Sequence, residues 1–389
     1  SAHEVGHTIG LAHNFAASSK GRSSVMDYPH PTLSLNNGEV DFTDAYDTKI
    51  GDWDKVSIAY SYSEFKTDED ANLKSILNDA FNNGARFITD QDARPLGSAH
   101  AYAHLWDNGS DVSVELENLL LIRKNAIANF SKDNIKSNQP YSVLEDVFVP
   151  LYFLHRYQTE GVTKVIGGLD YTYAIKDDGN TIVKRIPGKL ERKALASVIK
   201  TLSVEELAIP KKILNLFPPR AFNYGRTRES FKSKTGVAFD PFGAVETASS
   251  MTLGLLLHPE RVTRLVQHKS LDSSQLGLVE VLDEVIVNSF QKSNKDPYYQ
   301  ELQNIVNYQV LNHLFHLSSN KNMYWQVNAI VNDKIDKINS LLSNSKATGI
   351  QKIYQKDMIK MISNFKKNPT KFKKPITPKI PDGSPIGNN

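Results

Sequence analysis

The 389-residue chain contains no cysteine. Disulfides and thiolate metal ligands are therefore excluded, and any metal must be held by His, Asp, Glu or Tyr. The absence also fits a bacterial protein outside the cytoplasm, whether periplasmic, surface-attached or secreted. Long apolar runs are missing as well. None reaches the roughly 20 residues that a membrane-crossing helix needs. Neither sign of charge dominates: 46 Lys and Arg against 43 Asp and Glu leave a net charge of +3. That is too little to argue for nucleic acid or an anionic membrane as partner. There is no Gly-x-Ser-x-Gly elbow, phosphate loop or Gly-x-Gly-x-x-Gly fingerprint, so nucleophilic hydrolase and nucleotide-binding chemistry find no support. The chain opens Ser1-Ala2 without an initiator methionine or a signal sequence, so the natural N-terminus is expected further upstream. What remains is ordinary globular composition, with enough length for two or three domains.

The informative stretch is "HEVGHTIGLAH", residues 3 to 13. His3 and His7 are four apart and share one face of a helix, one turn from each other. Two imidazoles can thus meet one cation, while Glu4 flanks it without ligating and can take a proton from metal-activated water. Gly10 tolerates positive φ, so the helix can stop there and the chain can turn. The turn brings His13 back as a third ligand. Three protein ligands leave a coordination position open for water, as catalytic zinc requires, and zinc lowers the pKa of that water to about 7.

A bare His-Glu-x-x-His is a weak signal. The longer His-Glu-x-x-His-x-x-Gly-x-x-His fixes five positions and is specific. On these residues, and on "SVMDY" at 24–28, the sequence resembles the metzincin metalloproteases. The resemblance implies one Zn2+ held by His3, His7 and His13, with Glu4 as general base. It implies that Met26 is the Met-turn residue packed beneath the metal. It places Tyr28 where some metzincins keep a tyrosine that approaches the metal and turns toward the transition-state oxyanion. Taken singly, Met26 also reads as core packing and Tyr28 as a buried tyrosine. "IGDWDKVSIAYSY" (50–62) resembles the Asp-x-x-Ala-Ile helix that closes bacterial metzincin domains, with Ser57 in place of the usual Ala. Segments 86–111 and 151–171, together with the closing "PDGSPIG", are similar to the C-terminal region of large bacterial zinc-dependent metalloproteases formerly catalogued as domains of unknown function.

The expected fold is mainly α. A partial metzincin-like lower subdomain (1–63) precedes a large helical region (64–367) with a small β-hairpin and a divide near 219–250. A Lys- and Pro-rich tail (368–389) closes the chain. Helical spacing recurs at 70–85, 112–132, 143–168 with Pro150 inside or between two segments, 189–200, 203–216, 258–269, 274–292, 297–318, 321–344 and 350–366. A short helix follows Gly51. Asp178-Gly179 signals a hairpin within 169–186. Residues 14–45 and 219–250 read as loop or irregular connection.

Two further histidine pairs are candidates. His100 and His104, near Asp107 and Asp111, have i, i+4 spacing, but the Gly- and Asn-rich composition favours loop packing over a second metal. His313 and His316, like His155, sit in apolar helical contexts that favour core or boundary positions. In metzincins, substrate pairs with the edge of a sheet that precedes the motif helix. Only two residues precede His3 here, so that sheet is expected to be missing and the first turn to fray. The implied function is zinc-dependent endopeptidase acting on polypeptide, weak or inactive without the upstream part of the same protein. The alternatives are a helical binding or scaffold module with a vestigial zinc site, and a different zinc hydrolase such as an amidase.

Overall fold

Amphipathic spacing over most of the sequence produces helix over most of the structure. The computed structural model describes residues 2–227, 230–231, 233–373 and 380. The helices are α1 (Ala2–Thr8), α2 (Asp52–Tyr62), α3 (Glu69–Asn82), α4 (Asp90–Ala93), α5 (Val112–Asn129), α6 (Leu144–Tyr152), α7 (Arg156–Val165) and α8 (Gly188–Lys200). They continue with α9 (Val204–Leu207), α10 (Lys211–Leu214), α11 (Pro241–Leu256), α12 (Pro259–Leu271), α13 (Leu278–Ser289), α14 (Pro297–Ser318), α15 (Trp325–Ser343) and α16 (Gly349–Lys367). Two antiparallel pairs are the sheets among the described residues: β1 (Ser34–Asn36) with β2 (Glu39–Asp41), and β3 (Leu169–Tyr171) with β4 (Val183–Arg185). The fold is mainly α, as expected. No described helix is long and apolar enough to cross a membrane.

Compactness divides the chain into Ser1–Ile122 with His155–Ser197, and Arg123–Leu154 with Val198–Asn389. The expected limit near residue 63 falls inside the first unit, because α2 packs directly on α3 and Trp53 stacks on Phe87 at 5.5 Å between ring centroids. A small core of Phe15, Ala16, Ile88, Ala93 and Ala103 underlies the motif loop. In the second unit, α14 packs against α11, α13, α15 and α16. A larger core runs from Phe130 and Phe148 to Leu302 and Val306.

Three local expectations are corrected. The 203–216 helix is two single turns, α9 and α10, because Pro210 supplies no N–H and forces Ile209 out of helical geometry. The irregular 219–250 connection ends in the 16-residue α11, capped by Asp240, whose carboxylate accepts from the Gly243 N–H at 2.8 Å. Within the 14–45 loop, β1 and β2 form a tight hairpin. Asn37 and Gly38 both take positive φ, 51° and 85°, as a type I′ turn requires. The 143–168 stretch divides into α6 and α7, and of the two expected placements Pro150 takes the one inside a helix, α6. The Asp178-Gly179 turn lies in the connection of the β3–β4 pair. Most of the tail, with its closing "PDGSPIG", lies outside the described residues.

Candidate metal centre

The motif helix α1 ends in a Schellman turn. Gly10 adopts φ +87°, the Leu11 N–H donates to the Gly6 carbonyl at 3.0 Å, and the Gly10 N–H donates to the His7 carbonyl at 3.0 Å. This turn satisfies the orphan carbonyls of the helix end and sends the chain back so that His13 faces His7. The three imidazoles converge: Nε2 of His7 lies 3.1 Å from Nε2 of His3 and 3.1 Å from Nε2 of His13.

Tautomers follow from the opposite edge of each ring. Nδ1 of His3 lies 2.6 Å from the Val25 carbonyl, Nδ1 of His7 lies 3.0 Å from the Leu11 carbonyl, and Nδ1 of His13 lies 2.8 Å from Oδ2 of Asp90. Carbonyl and carboxylate oxygens only accept, so each Nδ1 carries the proton and donates. The three Nε2 atoms therefore present lone pairs to one another. Burial lowers the pKa of His13, and the neighbouring His7 and His3 add to that, against the raising influence of Asp90. Neutral imidazoles with facing lone pairs repel unless a cation sits among them. For bonds of about 2.0–2.1 Å in a tetrahedral array, adjacent nitrogens lie about 3.3–3.4 Å apart, close to the separations found here. The donor set fits zinc, and among the described residues His3, His7 and His13 are the one His, Asp and Glu group that converges in this way.

The remaining motif residues fall around this centre. Glu4 is exposed on α1. Met26 is 1% exposed, and its sulfur lies under Gly6, where a Cβ would approach to 2.2 Å. Gly6 is the one buried residue of α1, so a missing side chain on the helix makes room for the thioether. Tyr28 is half-buried, with ring centroids 5.0 Å from His3 and 4.9 Å from His13. Its ring stacks on Trp106 at 4.9 Å. The first turn of α1, expected to fray, is tied down by the His3 hydrogen bond to Val25. Apolar surface stays open at Val5 on this helix and at Ile9 just past its end.

Sequence reasoning missed two carboxylates. Asp54, the aspartate of the closing-helix motif, is 2% exposed. It accepts from the Ser24 hydroxyl at 2.6 Å, the Val25 N–H at 2.8 Å and the Gly51 N–H at 2.6 Å, and so pins the loop that carries Met26. The acid of the Asp-x-x-Ala-Ile pattern, just after the Gly51 break, was the available signal. Asp90, on the one-turn α4, reaches His13 across 77 positions of sequence. Its other oxygen accepts from Nε of Arg94. Burial opposes ionisation of Asp90, but the hydrogen bonds from Arg94 and His13 outweigh it and hold the carboxyl at about 2.

The other histidine candidates do not join the centre. His100 is fully buried and donates from Nε2 to the Tyr171 carbonyl at 2.9 Å, while Nδ1 accepts from the Tyr102 N–H at 3.2 Å. Burial pushes its pKa down to about 4. His104 is buried beside Gly161. Asp111 caps α5 and pairs with Lys193 at 2.6 Å. His155 is buried. His313 is buried against the Ser250 hydroxyl at 3.0 Å, whereas His316 is exposed, so the i, i+3 pair does not share a surrounding.

No curated protein and no solved structure matches the chain. Residues 1–297 match the family described as Met-zincin, a stretch that holds the three histidines, Met26, Tyr28 and all of the segment around Asp90. The match spans most of the chain, and the chain belongs to the Met-zincin family of zinc metallopeptidases.

Proposed function

We propose that the protein is a zinc endopeptidase that hydrolyses peptide bonds of polypeptide substrates at a single centre, with His3, His7 and His13 as the metal ligands. The observation that carries this reading is the set of three Nε2 lone pairs facing one another, each fixed by a hydrogen bond on the far side of its ring. When bound, zinc supplies the Lewis acidity that makes water nucleophilic near neutral pH. Glu4, exposed and next to His3 in sequence, accepts the proton of the attacking water and returns it to the departing amine nitrogen. Tyr28, held upright by Trp106, offers its phenol to the oxygen that gains negative charge as the carbonyl is attacked. Met26 gives the triad an apolar floor. A vestigial site would be expected to have lost a ligand or the acid, and every group of the motif is present.

The test is zinc content and proteolysis of a denatured, fluorophore-labelled protein by the full natural protein. One zinc per chain is expected. Glu4→Ala should keep the metal and lose at least about 100-fold in rate, within the range that general-base removal produces. Tyr28→Phe should keep the metal and lose rate mainly in kcat. No zinc at micromolar metal, or unchanged proteolysis in Glu4→Ala, would remove the peptidase reading in favour of a scaffold.

A further inference from the structure

His7 is oriented by the Leu11 carbonyl of its own turn, and His3 by the Val25 carbonyl beside Met26. His13 is different. Its Nδ1 proton goes to Asp90, which lies beyond the closing helix α2 and outside the part of the chain that the ligand motif covers. From these contacts we infer that Asp90 and Arg94 form the outer shell of the metal centre, with Asp90 as the positioning residue for His13. The inference rests on the triad being a zinc site and deepens that reading.

The shell is built rather than incidental. Asp90 uses both carboxylate oxygens, one on His13 and one on Arg94. Arg94 also lies 5.6 Å from the Phe15 ring and 5.8 Å from the Tyr28 ring, so its guanidinium rests against both rings while it holds Asp90. The turn carrying these residues is fixed from outside. The Lys164 ammonium, fully buried, donates to the carbonyls of Ala93 and Ala103. Asp92 accepts from the Tyr171 and Tyr173 hydroxyls. The segment is sewn to the motif loop by main-chain bonds. The Phe15 N–H donates to the Ile88 carbonyl at 2.8 Å, and the Trp106 N–H donates to the Tyr28 carbonyl at 2.8 Å. The Asn14 amide donates to the Arg86 carbonyl at 2.7 Å. A carboxylate held this firmly fixes the rotation of the His13 ring and increases the electron density at its Nε2. Such partners commonly change metal affinity by about 10–100-fold.

The experiment measures the zinc dissociation constant of the full chain against a chromophoric chelator and records the visible absorption of its Co2+ form. Asp90→Ala should weaken zinc about 10–100-fold and alter the Co2+ bands. Asp90→Asn, whose carbonyl oxygen can still accept from Nδ1, should fall between Ala and the parent. Arg94→Gln should weaken zinc less than Asp90→Ala does. Near-ultraviolet circular dichroism of the metal-free forms should be unchanged. Zinc affinity and Co2+ spectra equal to the parent in Asp90→Ala would overturn the inference while leaving the triad intact. A parent chain that binds no zinc would instead overturn the peptidase reading beneath it. Lys55→Ala, at an exposed position on α2, serves as the control that binds zinc like the parent.

Discussion

Asp54 couples the fold to the proposed metal ligand His3 through a single peptide group. Its carboxylate accepts from the Val25 N–H, and the Val25 carbonyl accepts from Nδ1 of His3. Asp54→Ala removes three accepted hydrogen bonds, from the Ser24 hydroxyl and the Val25 and Gly51 amides. Hydrogen bonds to a charged group contribute about 1.5–3 kcal/mol each, and they do not add fully when they share one acceptor. The expected loss for the metal-free chain is about 3–4 kcal/mol. Asp54→Asn keeps one carbonyl oxygen for the two amides and costs about 1–2 kcal/mol. The metal supplies the second half of the test. If Val25 is displaced, His3 is less well held and the zinc dissociation constant rises about 10-fold or more. By linkage, the stability lost in saturating zinc then exceeds that lost in the metal-free form by at least about 1.4 kcal/mol. Urea unfolding with and without zinc measures both, read by the fluorescence of Trp53 and Trp106, which are buried in this unit. Asp52→Ala, which removes an exposed pairing with Lys55, should leave stability close to that of the parent chain. Equal losses with and without zinc in Asp54→Ala would refute the link from Asp54 through Val25 to His3.

Two other perturbations follow from the same site. Gly6→Ala should destabilise the chain by about 1–3 kcal/mol, since overpacking against Met26 outweighs a helix-propensity gain of about 1 kcal/mol; denaturant unfolding checks it, and a net gain would mean that the thioether is not held under α1. Burial raises the Asp107 carboxyl to about 7, and Oδ1 has no hydrogen-bond partner. The folded chain then holds a proton that the unfolded chain releases near pH 4, so stability should fall as pH rises from about 4 to about 7 and level off above. The ceiling for this one group is about 4 kcal/mol, and Asp27 is shifted in the same direction. Asp107→Asn, which imitates the protonated acid, should flatten that slope and exceed the parent in stability at pH 8, as thermal melts across pH would report.

The sequence made the inner part of this site legible and its support nearly invisible. His3, His7 and His13 sit at spacings that one helix and one glycine turn convert directly into a cluster. Met26 and Tyr28 became readable only through a family pattern, because a methionine or tyrosine alone carries no positional code. Asp90 lies in "FITDQDARPLG", where neither periodicity nor spacing ties it to His13, and only tertiary folding brings them together. Asp54 was in view as part of a helix motif, yet its partners Ser24 and Val25 could not be inferred from helical spacing. The helix α11 was hidden for another reason. It is buried on most sides, so no polar face gives it a period, and its Ser, Thr and Gly content imitates a loop. The division of the chain was likewise not local, since residues 155–197 return to the first unit without any compositional mark.

The clamp on α4 has a consequence for synthesis. Asp92 is held by Tyr171 and Tyr173, and Lys164 closes on Ala93, so Asp90 is not fixed until some 160 residues after His13 have been made. At about 5–20 residues per second, the ligands leave the ribosome well before their support does. A newly made chain would thus carry its zinc ligands for many seconds in an unsupported state. The hold on His13 is therefore completed only once the chain through Tyr173 has been made.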